Sequence, residues 1–238
     1  MDFNRKKIIS TDKTYENMLK NYTKADAFLA IGLFLFFILL ISALIWVAMN
    51  YMINLSFFLF VMMIASTFII MRIRKQKLNT VGITNVNFLK SLVLGVVCSI
   101  PVVIFVVIPR LAAIERPMPL NDIFILSFGF WFLVSFGEEL FGRAFLQTRI
   151  YALIKSDFWA VFVGGLIFAI LHIPGRILSY YSTHGESIHM PELVSNILVW
   201  IGAHVILNIM YRKYNSIVAP VILHFFLNFT IVPFSLFF

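Results

Sequence analysis

Seven apolar stretches divide this chain of 238 residues, and they constrain its fold more than any other feature. About 20 helical residues cross the roughly 30 Å hydrocarbon core of a bilayer. Because lipid offers no hydrogen-bond partner to the backbone, each spanning segment must be helical. We therefore predict an all-α polytopic membrane helical bundle with about seven transmembrane helices. The stretches are residues 27–49, 55–71, 88–108, 123–149, 158–179, 193–211 and 217–237.

Composition and charge agree with membrane insertion and exclude other classes of protein. Hydrophobic residues make up 61% of the chain and charged residues 13%, whereas about a quarter of the residues in soluble domains are charged. The net charge of +8 is explained by the topology of a membrane protein. We therefore expect no nucleic-acid partner. If the N-terminus is cytoplasmic, all 19 lysines and arginines face inward except Arg110, Arg116 and Arg176. The positive-inside rule therefore predicts a cytoplasmic N-terminus.

The chain divides into three regions. Residues 1–26 are polar and are expected to be a cytoplasmic lead-in. Residues 27–111 form an N-terminal transmembrane half and residues 120–238 a C-terminal one, with prolines at 109, 117 and 119 between them. The single cysteine, Cys98, excludes an intrachain disulfide and a cysteine-based zinc site. The frequent use of Ile, Lys, Phe and Asn points to a bacterial origin. Together with the apolar stretches, it predicts a multi-pass protein of the bacterial cytoplasmic membrane.

Polar side chains are concentrated in the last four apolar stretches. An ionisable residue inside a span costs at least about 2.5 kcal/mol on insertion scales and usually marks function. The first three stretches contain almost none. The residues concerned are Glu138, Glu139, Arg143, His172, His204, Asn208, His224 and Asn228. This asymmetry predicts a functional site in the C-terminal half.

Two adjacent carboxylates lie in the fourth stretch. Glu139 and Arg143 are four residues apart, so a helix allows them to form an ion pair across one turn. Glu138 points about 100° away and lacks that partner, which suits a general base or acid. The alternative is a buried charge cluster that only pins helices together.

Imidazole groups occur in two further motifs. His172 ends the run Phe-Ala-Ile-Leu-His, and His224 shares a helix face with Asn228. Imidazole and carboxamide N–H groups can stabilise developing negative charge. Helical rise places Glu138, His172 and His224 roughly 18, 24 and 12 Å from the predicted cytoplasmic ends of their helices, so their depths overlap. A structural role for the lone His172 is the alternative.

In this order, the motifs Glu-Glu-x-x-x-Arg, Phe-x-x-x-His and His-x-x-x-Asn resemble the CPBP group of intramembrane proteases. That group contains the CAAX prenyl proteases and the bacteriocin-processing or Abi-type proteins. The resemblance covers about residues 120–230, including the segment 211–220, and implies that residues 120–238 are the catalytic half. The matching residues are Glu138, Glu139, Arg143, Phe168, His172, His224 and Asn228.

The resemblance implies a role for each matching polar residue. Glu138 together with His172 would activate a water molecule for attack on a peptide carbonyl. His224 and Asn228 would stabilise the oxyanion. Glu139 and Arg143 would be a supporting pair. These roles agree with the chemistry of the side chains, because a carboxylate near an imidazole can deprotonate water.

Zinc is the cofactor that the resemblance leaves open. The family is often labelled metalloprotease, and Glu138, His172 and His224 are of the types that bind zinc. However, both histidines would then serve as ligands, and the sequence contains no His-Glu-x-x-His helix. We favour catalysis by glutamate without a metal.

A second His-x-x-x-Asn spacing departs from the family pattern. His204 and Asn208 stand one helix earlier, where the family more often has small residues. They either line the same cavity and supply an alternative ligand, or form an interhelical hydrogen bond worth roughly 0.6–2 kcal/mol; we favour the hydrogen bond. In the outer loop, His184 and His189 flank Glu186, and we expect a solvated loop there rather than a metal site.

Three functions fit these features. The first is an intramembrane endopeptidase that cleaves a membrane-associated peptide or protein, such as a bacteriocin or peptide signal. The second is a non-proteolytic scaffold, or a bacteriocin-immunity or regulatory membrane protein. The third is a transporter, which is disfavoured because the N-terminal half is nearly free of polar residues and no inverted repeat is visible. The complete set of Glu138, His172, His224 and Asn228 favours the protease.

Overall fold

The computed structural model describes residues 11–51, 55–113 and 128–229, and every structural statement below refers to those residues. They form helices and turns, and they contain no β-strand. The π-helical segments Val103–Val107 and Glu139–Gln147 join α4 to α5 and α6 to α7 without a break. The helices are α1 (Lys13–Leu19), α2 (Lys24–Tyr51), α3 (Ser56–Ile73), α4 (Phe88–Val102), α5 (Ile108–Ala112), α6 (Gly129–Glu138), α7 (Thr148–Ile150), α8 (Asp157–His184), α9 (Met190–Tyr214) and α10 (Val218–Asn228).

Five helices are long and apolar enough to cross a membrane. They are α2, α3, the continuous run Phe88–Ala112, the Asp157–Leu178 part of α8, and α9. The prediction of an all-α polytopic membrane bundle is therefore confirmed, and the chain is a multi-pass membrane protein. The predicted stretches 123–149 and 217–237 lie partly outside the described residues; residues 128–149 are helical, and so is Val218–Asn228. The cytoplasmic N-terminus and the three-region division stay predictions.

Small residues on α4 allow α10 to approach closely. Ser91, Gly95 and Ser99 follow one another at four-residue intervals, and all three are buried. A Cβ atom on Gly95 would lie 3.0 Å from the Cα atom of Ala219 in α10. The backbone N–H of Ala219 donates to the Ser91 hydroxyl at 2.9 Å, which satisfies one of the free N–H groups at the start of α10. Close backbone contact through small residues is typical of membrane helices, and it fixes the position of His224.

Replacement of Gly95 by valine is expected to push α10 away from α4. Overpacking of a close contact costs about 1–3 kcal/mol, and the shift also moves His224. We expect a lower unfolding temperature in detergent together with reduced activity. Gly32→Val is the matched control, because no atom lies within 4 Å of a Cβ at Gly32. Equal unfolding temperatures for the two variants would show that the α4–α10 contact is not tight.

At the basic end of the bundle, defined by α1, Arg149 and Arg212, the N-terminal segment docks on the core. Tyr15 is completely buried and packs edge-to-face on Tyr211. The N–H of Asp12 donates to the Arg212 carbonyl at 3.0 Å. Burial raises the pKa of the Tyr15 hydroxyl above its usual range. The described part of the predicted lead-in is therefore packed against the helices.

Candidate active site

A nine-residue π-helical segment forms the centre of the site. α6 ends at Glu138, and Glu139–Gln147 continue the same helix with π-type hydrogen bonding. All nine side chains are buried, because α2, α3, α8 and α9 surround the segment. π-Helical turns are rare and occur frequently at functional sites. Here the segment buries a polar residue at every fourth position: Glu139, Arg143 and Gln147.

Two histidines face the same oxygen atom of Glu138. The Nε2 atom of His224 lies 3.3 Å from Oε2 of Glu138. The Nε2 atom of His172 lies 3.6 Å from that oxygen. Glu138 lies on α6, His172 on α8 and His224 on α10. Three helices thus bring side chains that are distant in the sequence to one point, which agrees with their overlapping depths.

The other ring nitrogen of each histidine has a fixed acceptor. The Nδ1 atom of His172 lies 2.8 Å from the carbonyl oxygen of Phe168. The Nδ1 atom of His224 lies 2.5 Å from Oε1 of Glu139. A carbonyl and an ionised carboxylate only accept hydrogen bonds, so each Nδ1 carries its hydrogen. Each Nε2 is therefore the nitrogen that can gain or lose a proton beside Glu138.

Glu139 connects His224 to a buried cation. Its Oε1 atom accepts from His224 and also from the guanidinium of Arg143, and both side chains of this ion pair are fully buried. The guanidinium also lies over the ring of Phe168, 4.6 Å from its centroid, where a cation is attracted by the aromatic face. The sequence predicted the pairing of Glu139 with Arg143, but not the contact between Glu139 and His224.

Exposure falls from one side of the site to the other. The side chain of His172 is 25% exposed and that of Glu138 is 14% exposed. Glu139 and Arg143 are completely buried. Glu138 and His172 therefore form the more exposed side of the site, whereas Glu139 and Arg143 are enclosed by the protein.

Asn228 lies at the end of α10, one turn after His224, and is half-buried. Within the part of the chain that the structure describes, no hydrogen bond joins Asn228 to Glu138, Glu139 or either histidine. Its position on the helix face of His224 agrees with the spacing in the sequence. Its role in stabilising an oxyanion stays a proposal.

Two histidines and a carboxylate surround the centre of the site, and these are residue types that bind zinc. The donor types are suitable, and each Nδ1 is held by a carbonyl or carboxylate, as in metal-bound histidines. However, among the described residues no group of three His, Cys, Asp or Glu side chains is arranged to hold a metal ion. This statement includes the outer loop, where His189 lies 3.7 Å from Glu186 and both are largely exposed.

The His204 imidazole makes an interhelical hydrogen bond. Its Nε2 atom lies 3.1 Å from Oε1 of Gln147 in the π-helical segment, and both residues are buried. Of the two expectations for His204, the structure therefore contains the interhelical hydrogen bond. Gln147 was missed by the sequence reasoning, although its four-residue spacing after Arg143 was a usable signal.

Asn208 is the least satisfied polar residue near the site. It is 1% exposed, and neither its amide oxygen nor its amide nitrogen has a hydrogen-bond partner among the described residues. The Nδ1 atom of His204 likewise lacks one. A buried polar group without a partner costs about 1–3 kcal/mol.

Comparison with known proteins gives one match. Residues 120–230 match the family model described as type II CAAX prenyl endopeptidase, Rce1-like. No match was found among curated proteins or among solved structures. The matched region contains α6, the π-helical segment, α8, α9 and α10, and hence every side chain of the candidate site. The match confirms the resemblance to the CPBP intramembrane proteases and supports protease activity at the level of the family. Residues 120–230 are thus similar to the Rce1-like type II CAAX prenyl endopeptidases.

Proposed function

We propose that the protein is an intramembrane endopeptidase that hydrolyses a peptide bond of a membrane-associated peptide or protein. The observation that carries the proposal is the approach of two imidazole Nε2 atoms to Oε2 of Glu138, at 3.3 and 3.6 Å. A carboxylate with two imidazoles beside it can take a proton from water and return it during one reaction.

Glu138 acts as the general base in this mechanism. It removes a proton from a water molecule held between its carboxylate and Nε2 of His172. The resulting hydroxide attacks the peptide carbonyl and forms a tetrahedral intermediate. Protonated Glu138 then donates its proton to the leaving amine as the carbon–nitrogen bond breaks. Glu138 and His172 suit this role because they form the more exposed side of the site.

His224 stabilises the oxyanion of the intermediate. Its Nδ1 hydrogen is committed to Glu139, so Nε2 can donate to the oxyanion only when the ring is cationic. Glu139 supports that cation, and Arg143 holds Glu139 in place. Two carboxylates and two cations then balance in a buried site. Asn228 supplies a second N–H donor from the same face of α10.

The physiological substrate is proposed to be a bacteriocin or peptide signal in a bacterial cytoplasmic membrane. The source strain, with the gene deleted, is complemented with wild type or with His172→Ala at matched membrane levels. Secreted peptides are then compared by mass spectrometry. We expect one processed peptide to disappear on deletion, return with wild type and stay absent with the variant. Full rescue by His172→Ala would instead favour a non-proteolytic scaffold or immunity protein.

The same peptide allows a test of metal dependence. Purified protein in lipid nanodiscs is incubated with the unprocessed peptide before and after treatment with a strong zinc chelator. We expect an unchanged cleavage rate, because Glu138 beside His172 can deprotonate water without a metal. Loss of cleavage that added zinc restores would contradict the metal-independent mechanism.

A further inference from the structure

Three pairs of side chains join α8 to α9 beside the candidate site. In order along α8, the pairs are Phe168 with His204, His172 with Trp200, and Arg176 with Glu192. The pairs follow one another at four-residue intervals on α8, so they lie on one face of that helix. The middle pair connects His172, which takes part in the proposed mechanism, to Trp200, which has no role in it.

Trp200 lies against the imidazole of His172. Their ring centroids are 5.2 Å apart and their planes are inclined by 32°, so the indole presents its face to the imidazole. Phe168 contacts the same imidazole, with centroids 4.5 Å apart and planes inclined by 53°. Aromatic rings at such separations attract one another beyond the apolar area that they bury. The His172 ring is therefore held by one aromatic ring from its own helix and by another from α9.

The contact with Trp200 restrains a part of His172 that its hydrogen bond leaves free. The Nδ1 atom donates to the carbonyl of Phe168 at 2.8 Å, one turn earlier in the same helix. This bond fixes one atom of the ring, whereas the direction in which Nε2 points also depends on the plane of the ring. The indole of Trp200 limits that plane from α9, and with it the position of Nε2, which lies 3.6 Å from Oε2 of Glu138.

The two histidines of the site differ in how they are held. His224 is 5% exposed, and its Nδ1 atom is bound by the carboxylate of Glu139, which belongs to another helical segment. The side chain of His172 is 25% exposed, and its Nδ1 atom is bound by a carbonyl of its own helix. The orientation of His172 therefore depends more strongly on a ring from a second helix, and Trp200 provides that ring.

We propose that Trp200 is a positioning residue whose indole holds the His172 imidazole in the orientation that directs Nε2 towards Glu138. The effect on catalysis rests on the proposed function, in which a water molecule is held between Glu138 and Nε2 of His172, whereas the contact between the two rings does not. A small displacement of a group that orients a reactant lowers the rate of the chemical step. Removal of the indole should therefore change turnover and not substrate binding.

Fluorine NMR of the full-length protein, labelled with 5-fluorotryptophan in nanodiscs, tests the contact without a substrate. The resonances of the four tryptophans are assigned by replacing each in turn with phenylalanine. We expect His172→Gln to move the Trp200 resonance, because the ring current of the imidazole is lost. The Trp159 resonance is the matched control and should stay in place, since its indole is 55% exposed and packs on Phe158 and Phe162 of its own helix. An unmoved Trp200 resonance would overturn the proposal.

Kinetics on the processed peptide test the positioning role. We expect Trp200→Leu to lower kcat about tenfold, as for loss of a stacked aromatic pair, with KM unchanged. Trp200→Phe retains an aromatic face and should keep most of the wild-type kcat, and Trp159→Leu should keep all of it. An unchanged kcat in Trp200→Leu, or the same low kcat in the leucine and phenylalanine variants, would overturn the positioning role.

The remaining outcomes separate this proposal from the proposed function. A rise in KM alone in Trp200→Leu would mean that the indole binds substrate, and it would overturn the positioning role. If Trp200→Leu does not fold, an unmoved Trp200 resonance in His172→Gln still overturns the proposal. If the wild type cleaves no peptide, the proposed function fails, and the fluorine measurement still decides whether Trp200 holds His172.

Discussion

Glu138→Gln is expected to abolish peptide cleavage while the protein still folds and inserts normally. Glutamine has nearly the same shape but cannot accept a proton from water, so the general base is lost. General acid–base catalysis contributes about 10²–10⁴-fold, and here one residue acts as both base and acid. Cleavage should therefore fall at least about 10²-fold, measured on the processed peptide in nanodiscs.

Folding should tolerate this change because it removes no hydrogen bond of Oε2 of Glu138. Its Oε2 atom has no hydrogen bond among the described residues, and the two imidazoles beside it lie at 3.3 and 3.6 Å. The unfolding temperature should match that of Glu186→Gln, an exposed loop variant that should retain full activity. Cleavage by Glu138→Gln at the wild-type rate would exclude Glu138 as the base.

Contacts within one helix could be predicted from the sequence. The pairing of Glu139 with Arg143 follows from four-residue spacing, and the structure contains it. The apolar stretches likewise predicted the helices α2, α3, α8 and α9 with ends displaced by a few residues. These features depend on local geometry, which the chain encodes directly.

Contacts between helices could not be predicted in the same way. The bond from His224 to Glu139 depends on how closely α10 approaches the π-helical segment. Helix depth brought His224 to the correct level but did not fix its rotation. The shift to π-helix after Glu138 is also invisible in the apolar pattern, because it changes hydrogen bonding and not composition.

The packing of α1 could have been predicted from the spacing of its apolar residues, although not from the composition of the segment. Residues 1–26 are polar overall, and this led to the expectation of a lead-in. Yet Tyr15, Met18 and Leu19 are spaced as one apolar helix face, and all three are buried. Arg149 and Arg212, counted above only as topology signals, are also buried. A short amphipathic face within a charged segment therefore predicted packing better than its average polarity did.

Arg143→Met is expected to destabilise the protein as well as inactivate it. The change leaves the fully buried Glu139 carboxylate without its cation. Removal of one partner of a buried ion pair costs about 3–5 kcal/mol, which is a large fraction of the stability of a typical domain. We expect reduced membrane levels and a lower unfolding temperature in detergent, together with loss of cleavage.

The double variant Glu139→Gln/Arg143→Met separates stability from catalysis. Replacing both charges removes the stranded carboxylate, so most of the lost stability should return, as in double-mutant cycles at contacting residues. Cleavage should not return, because a neutral amide at position 139 supports a cationic His224 far less than the carboxylate does. Recovery of both properties would mean that the pair serves only folding, and that His224 needs no buried anion. If the Glu139 carboxylate supports a cationic His224 that donates to the oxyanion, stability should recover and cleavage should not.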